Sequence, residues 1–231
     1  MMKREDSRDV LVMKQGMEHL GLAGLPAGSV VGTSSVRRSA QIARKYPHLK
    51  IADVRGNIGT RLAKLDAEDG PFACIILAAA GLHRLDLDNR ITQYLESKNG
   101  GMLHAVGQGA LGIEIRKDDK LLHDMLSNIG HKETMLASLA ERSLLRTLEG
   151  GCSAPLGVET EWVQGSDGSP KLIMRSIVVS VDGSRSAEVE TDGTVDSPET
   201  AEEFGDTVAK ALVEKGAGAI LQEIQDNKQV P

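Results

Sequence analysis

Blocks of apolar and polar residues alternate along the first hundred residues, and they predict strands that alternate with helices. Short apolar runs are typical of strands, and the segments between them begin with Ser or Asn caps and place apolar residues at helical spacings. The predicted strands are 9–13, 29–32, 51–54 and 72–80, and the predicted helices are 39–45, 60–65 and 88–95. This order is typical of βαβ units. We therefore predict a doubly wound α/β domain.

The pattern changes in the second half of the chain. Apolar residues at spacings of three and four predict an amphipathic helix over 133–148. Three alternating segments follow with Gly-containing turns between them, and two more helices end the chain; these segments are 156–161, 172–181, 186–191, 198–215 and 218–225. The sequence predicts a small α+β domain, a three-stranded antiparallel sheet covered by helices.

Arginine recurs where a predicted strand ends and a helix begins. Arg37 and Arg38 fall in the first turn of a helix capped by Ser34 or Ser35. The helix dipole is already positive there, so each cation costs about a few tenths of a kcal/mol unless an anion is bound. The same placement recurs at three further arginines, Arg55, Arg61 and Arg90.

In an open parallel sheet the carboxyl ends of the strands share one edge, where such folds bind ligands. We therefore expect these arginines to converge on one crevice that binds a ligand with several carboxylates or phosphates. The alternative is that the arginines are solvated or paired with acids elsewhere in the chain.

The composition of the chain limits the kinds of binding partner that we expect. The chain has 231 residues, a formal net charge of −6 and only 2% aromatic residues. Single-stranded nucleic acid is usually held by aromatic stacking, so we do not expect a nucleic-acid partner. Because the sequence contains neither a signal-peptide pattern nor a run of about eighteen apolar residues, we expect a soluble intracellular protein without a membrane partner. The two cysteines show no metal-ligand spacing with the histidines, so we expect no metal site.

Residues 107–112 match the dinucleotide fingerprint GxGxxG. The fingerprint has to open a helix, whereas residues 113–116 alternate like a strand. We therefore reject nucleotide binding at this motif.

The two cysteines lie in different surroundings. Cys74 falls inside a predicted strand and is expected to be a small core residue. Cys152 follows Gly150-Gly151 on a loop after a long helix, and Pro155 keeps that helix from resuming. A thiolate on this loop could serve as a nucleophile or a covalent tether, and the alternative is an ordinary loop thiol.

Five motifs follow one another along the chain: Gly32-Thr33-Ser34-Ser35-Val36-Arg37-Arg38, Val54-Arg55-Gly56-Asn57, Thr60-Arg61-Leu62, residues 105–112 and residues 148–153. In this order and spacing they resemble the porphobilinogen deaminase family, which is also called hydroxymethylbilane synthase. The resemblance runs from about residue 3 to the C-terminus. The resemblance implies a periplasmic-binding-protein-like domain over 1–104, a hinge and remnant of the family's first domain over 105–130, and an α+β domain over 131–231.

The resemblance also implies an activity. Members of the family are transferases of haem biosynthesis that join four porphobilinogen units head to tail into hydroxymethylbilane, releasing ammonia at each step. They act as monomers in the cytoplasm and carry a dipyrromethane cofactor on a thioether to the cysteine that matches Cys152. The arginines that match Arg37, Arg38, Arg55, Arg61 and Arg90 bind carboxylates of the cofactor and the growing chain. Further cofactor contacts match Thr33, Ser35, Gly56 and Gln108.

One feature of the family has no counterpart in this sequence. Family members carry a catalytic aspartate in a Ser-Leu-Lys-Asp-Leu-Pro-like motif of their first domain, most of which would precede Lys3. We therefore expect weak or no turnover from these 231 residues alone. The alternative to an active deaminase is a truncated module that binds polypyrroles or other polycarboxylates without elongating them.

Overall fold

The computed structural model describes residues 1–148, 154–166 and 168–229. The first sheet and its helices form the first half of the chain. In chain order they are β1 (Asp9–Met13), α1 (Gly21–Gly24), β2 (Val30–Gly32), α2 (Val36–Lys45), β3 (Lys50–Ala52), α3 (Ile58–Asp66), β4 (Phe72–Ala78), α4 (Ala79–His83) and β5 (Gln93–Leu95). A 3₁₀ turn, Asp88–Arg90, precedes β5.

The second half holds a second sheet and four helices. These elements are α5 (Lys120–Ser127), α6 (Lys132–Thr147), β6 (Leu156–Gln164), β7 (Pro170–Val179), β8 (Ser186–Gly193), α7 (Pro198–Glu214) and α8 (Ala217–Gln229). The strands pair antiparallel in the order β6-β7-β8. This confirms the predicted α+β arrangement. Gly205 lets α7 approach α6, because a Cβ at that position would collide with the carbonyl oxygen of Ala140.

The five-stranded sheet is mixed, with strand order β3-β2-β4-β1-β5. Strand β2 pairs parallel with β3 and β4, as the βα repeats predict. Strand β1 runs antiparallel between β4 and β5. It lies before the first crossover unit, and an apolar run does not reveal its direction. Both faces of the sheet are covered, with Leu11 and Ile76 buried on one face and Val12 and Ile75 on the other.

The prediction of a helix over 88–95 is wrong. Only the short turn Asp88–Arg90 is helical, and the next residues form the edge strand β5. Leu95 is buried against the core, and the backbone N–H of Thr92 donates to the carbonyl of Leu11. Pairing with β1 therefore outweighs the weak helical pattern of this segment.

The prediction of a strand over 113–116 is also wrong, because these residues have no regular secondary structure. Ile113 is half exposed, as are Leu121 and Met125 of α5. An alternating pattern forms a strand only when a neighbouring strand supplies hydrogen bonds. Within the described ranges, every helix is too short or too polar to cross a membrane.

Candidate functional site

The site lies at the sheet edge where β2, β3 and β4 end. Because β1 is antiparallel to β4, its first residue, Asp9, pairs with Ala78, the last residue of β4. A carboxylate thereby lies among the carboxyl ends of the parallel strands. No local pattern in the sequence indicates Asp9, because its place at this edge depends on the direction of β1.

Asp9 is fully buried and binds both arginines of the first motif. Arg37 Nη1 donates to Asp9 Oδ2 at 2.6 Å, and Arg38 Nη2 and Nε donate to Oδ1 at 2.7 and 3.0 Å. Gln108 Nε2 also donates to Oδ1, at 3.0 Å. Burial raises the pKa of Asp9, but the charges and hydrogen bonds of the two arginines outweigh it and hold this pKa well below its usual range.

Helix α2 carries both arginines in its first turn, as the sequence predicts. Its N-cap is Ser35, whose Oγ accepts from the backbone N–H of Arg38 at 3.4 Å. The hydroxyl of the buried Thr33 accepts in turn from the Ser35 N–H at 3.2 Å. Thr33 and Ser35 therefore stabilise the turn that aims the arginines at Asp9.

The other N–H groups of Arg37 and Arg38 differ in how well they are paired with acceptors. Arg37 Nη1 also donates to the carbonyl of Leu103 at 2.6 Å, and Arg38 Nη1 donates to that of Ile76 at 2.8 Å. Arg37 Nη2 has only a 3.5 Å contact with Gln108 Oε1. Arg37 Nε is buried without an acceptor among the described residues. A buried N–H without an acceptor is costly, so this edge of Arg37 is suited to an anion.

A second, exposed basic cluster follows β3. Arg55 is 78% exposed and pairs with Asp53 at 3.1 Å, while Arg61 Nε donates to the carbonyl of Gly56 at 2.8 Å. Gly56 has a φ of 117°, where a side chain would be strained and would collide with Thr60. The tight turn therefore places Arg55 just before α3 and presents the carbonyl of Gly56 to the Arg61 side chain.

Arg90 lies elsewhere. Its two Nη atoms donate to both carboxylate oxygens of Asp66, the last residue of α3, at 2.8 and 2.9 Å. It also lines a cavity with Met13, the last residue of β1 and thus at the opposite end of that strand from Asp9. The structure does not bring Arg90 to the Asp9 cluster, and its role in binding stays a prediction.

Comparison with known proteins decides the family. The model described as porphobilinogen deaminase, dipyromethane cofactor binding domain, matches residues 1–124, and the one described as porphobilinogen deaminase, C-terminal domain, matches 135–214. The chain belongs to the porphobilinogen deaminase family. It is 50% identical over 223 residues to the porphobilinogen deaminase of Schizosaccharomyces pombe, covering 96% of this chain and 66% of that protein. The corresponding protein of Yarrowia lipolytica is 54% identical over 221 residues, covering 96% and 63%. The chain thus spans slightly less than two thirds of these two relatives.

A second buried carboxylate fastens the N-terminal segment to α6. Glu141 accepts from Arg4 Nη1 and Nη2 at 2.5 and 3.0 Å, from the backbone N–H of Gly107 at 2.7 Å and from Thr160 Oγ1 at 2.7 Å. Arg4 Nε also donates to the carbonyl of Gln108 at 2.8 Å. This cluster fixes the loop from which Gln108 reaches Asp9.

Of the two cysteines, Cys74 lies among the described residues. Cys74 is buried in β4, and burial raises its pKa to about 12, so it is protonated and unreactive at neutral pH. Cys152 lies outside the described residues, which resume at Ala154. Among the described residues no group of three His, Cys, Asp or Glu side chains is arranged to hold a metal ion.

Stability is expected to fall as the pH is lowered from 7 to 3. Asp9 and Glu141 both have a lowered pKa in the fold because their arginine partners outweigh burial, so the stability they give above about pH 4 is lost on acidification. Burial lowers the pKa of His104, so below about pH 6.5 the unfolded chain gains a proton that the fold resists. Urea unfolding at several pH values measures this. His104→Gln should flatten the slope between pH 7 and 5, and a free energy of unfolding that rose on acidification would contradict the assignment.

Proposed function

We propose that the chain is the greater part of a porphobilinogen deaminase, or hydroxymethylbilane synthase, which joins four porphobilinogen units head to tail and releases ammonia at each step. The observation that carries this proposal is the arginine pair on Asp9, with the Nε–H of Arg37 buried and without an acceptor in the part of the chain that the structure describes. A buried donor of this kind is suited to a ligand carboxylate. The relatives that are 50% and 54% identical to this chain are named porphobilinogen deaminase.

Each pyrrole of the proposed ligand brings an acetate and a propionate. Arg37 would hold a carboxylate at the buried part of the site, where a fixed guanidinium fork binds most strongly, whereas the Nε–Nη2 edge of Arg38 is already on Asp9. Arg55 is exposed and Arg61 is partly buried, and they would bind carboxylates nearer to solvent, where water screens the charges. Arg90 would have to leave Asp66 to join them.

The residues present fit a dipyrromethane cofactor. One of its carboxylates would supply the acceptor that Arg37 Nε lacks among the described residues, and Thr33, Ser35, Gly56 and Gln108 keep the surrounding turns in place. When bound through a thioether to Cys152, the cofactor would hold the growing pyrrole chain. The residues of this chain would then bind and orient its carboxylates.

A second candidate function is a module that binds polypyrroles without turnover. The buried Nε–H of Arg37 is suited to an anion and so favours binding under either candidate, whereas turnover also needs an acid or base at the reacting atoms, which contributes about 10²–10⁴-fold to rate. A turnover assay with porphobilinogen separates the candidates. Ammonia release by these 231 residues at a rate typical of enzymes would exclude the binding module. We further propose a cytoplasmic location and a monomeric complete protein, which fractionation and sedimentation would test.

The cofactor is tested by the intact mass of the purified chain after incubation with porphobilinogen. We expect a mass excess of two pyrrole units that disappears in Cys152→Ser. The control is Cys74→Ser, which should retain the excess because Cys74 is buried in the core. No mass excess in the wild-type chain, or an excess that survives Cys152→Ser, would contradict the proposed attachment.

A further inference from the structure

Among the described residues, Asp9 is the one carboxylate that contacts both Arg37 and Arg38. We propose that Asp9 is a positioning residue, whose buried carboxylate holds Arg38 in place and fixes the orientation in which Arg37 binds a carboxylate of a pyrrole. The proposal rests on the proposed function and assigns a role within the same site to a residue that does not itself touch the ligand.

The rigidity of Asp9 supports this role. Asp9 begins a strand in the interior of the sheet and is aligned with Ala78 on one side and Leu95 on the other. Its side chain is fully buried and accepts four hydrogen bonds from three residues. Free arginine side chains lose about 2 kcal/mol of rotamer entropy when they are fixed. Because Asp9 fixes them before ligand arrives, that loss does not weaken binding.

Asp9 also determines which N–H groups of the Arg37 guanidinium remain available to a ligand. Asp9 and the Leu103 carbonyl accept from Nη1 alone, so the Nε–Nη2 edge keeps its two parallel donors. Nη2 has only the 3.5 Å contact with Gln108, and Nε has no acceptor among the described residues. Arg38, by contrast, has its Nε–Nη2 edge on Asp9. The open edge of Arg37 therefore matches a carboxylate bound by two hydrogen bonds.

Two other roles would give different results from positioning. If Asp9 only balanced charge, its neutralisation would make the pocket more positive and strengthen anion binding. If Asp9 only stabilised the fold, its replacement would lower the melting temperature and leave the affinity of the folded protein unchanged.

The test measures the dissociation constant of porphobilinogen by calorimetry, on variants shown to be folded by circular dichroism. Asp9→Glu keeps the charge and moves the carboxylate by one methylene, whereas Asp9→Asn keeps the size and turns an amide donor toward a guanidinium. We expect both to bind porphobilinogen at least tenfold more weakly than the wild type. The control is Asp6→Asn, which should stay within twofold because the Asp6 side chain pairs with Arg8 instead.

A second measurement needs no variant. The Nε–H signals of Arg37 and Arg38 in the wild-type chain are followed by NMR as porphobilinogen is added. We expect the Arg37 signal to shift while the Arg38 signal, held by Asp9, stays in place. This result supports positioning even if neither Asp9 variant folds.

The outcomes separate the two proposals. Equal affinity of wild type and Asp9→Glu, tighter binding by Asp9→Asn, or a shift of the Arg38 signal as large as that of Arg37 would overturn the role of Asp9 alone. A wild-type chain that binds no porphobilinogen would overturn the proposed function and this role with it.

Discussion

Replacing Arg4 with alanine is expected to lower the free energy of unfolding by about 3–5 kcal/mol. The change removes two charged hydrogen bonds from Glu141, whose side chain is completely buried. Gly107 and Thr160 would still donate to Glu141, but no cation would remain beside it among its hydrogen-bond partners. A buried carboxylate without a counter-charge is among the most costly defects in a folded protein.

Urea unfolding measures this loss. The control is Arg146→Ala on the same helix, which breaks an exposed ion pair with Glu202 and should cost less than about 1 kcal/mol. The double variant Arg4→Met, Glu141→Leu should recover much of the loss, because it removes both buried charges together. If Arg4→Ala and Arg146→Ala were equally stable, Glu141 would not depend on Arg4.

Replacing Arg37 with lysine is expected to weaken porphobilinogen binding by about 10- to 100-fold, which corresponds to about 1.4–2.8 kcal/mol. Lysine keeps the charge but lacks the planar fork, so it cannot reach Asp9 and offer two parallel donors to a ligand at once. Because Asp9 and Leu103 already occupy Nη1, the loss falls on the edge that we assign to the ligand.

Calorimetry with porphobilinogen measures the affinity, and Arg55→Lys gives an internal comparison. Arg55 is largely exposed, so its replacement should weaken binding less than that of Arg37. Arg146→Ala, whose side chain pairs with Glu202 at an exposed position, serves as the reference. A larger loss for Arg55→Lys than for Arg37→Lys would place the main carboxylate contact at the exposed cluster and contradict our assignment.

Local signals in the sequence were enough for much of the site. The sequence left the first cap open between Ser34 and Ser35, and the structure shows Ser35 in this role, with Asn57 capping the next helix. The family motifs led to Arg37 and Gln108, which the structure brings together beside Asp9. The helix caps depend on residues a few positions apart, which is why local signals suffice for them.

The remainder depends on contacts between distant residues. The direction of β1 is set by its pairing with β4 and β5, so the sequence gives no local sign that Asp9 reaches the arginines. The segment before Leu95 has a weak helical pattern that pairing with β1 overrides. Glu141 looks like an ordinary polar residue of an amphipathic helix, and only the fold shows that Arg4, 137 residues away, neutralises it.

A crystal structure of the chain with porphobilinogen-derived pyrroles bound would test the account most directly. We predict a pyrrole carboxylate within about 2.7–2.9 Å of Arg37 Nε, with Asp9 still bridging Arg37 and Arg38. Pyrrole carboxylates bound away from this pair, with the Nε of Arg37 still lacking an acceptor, would contradict it.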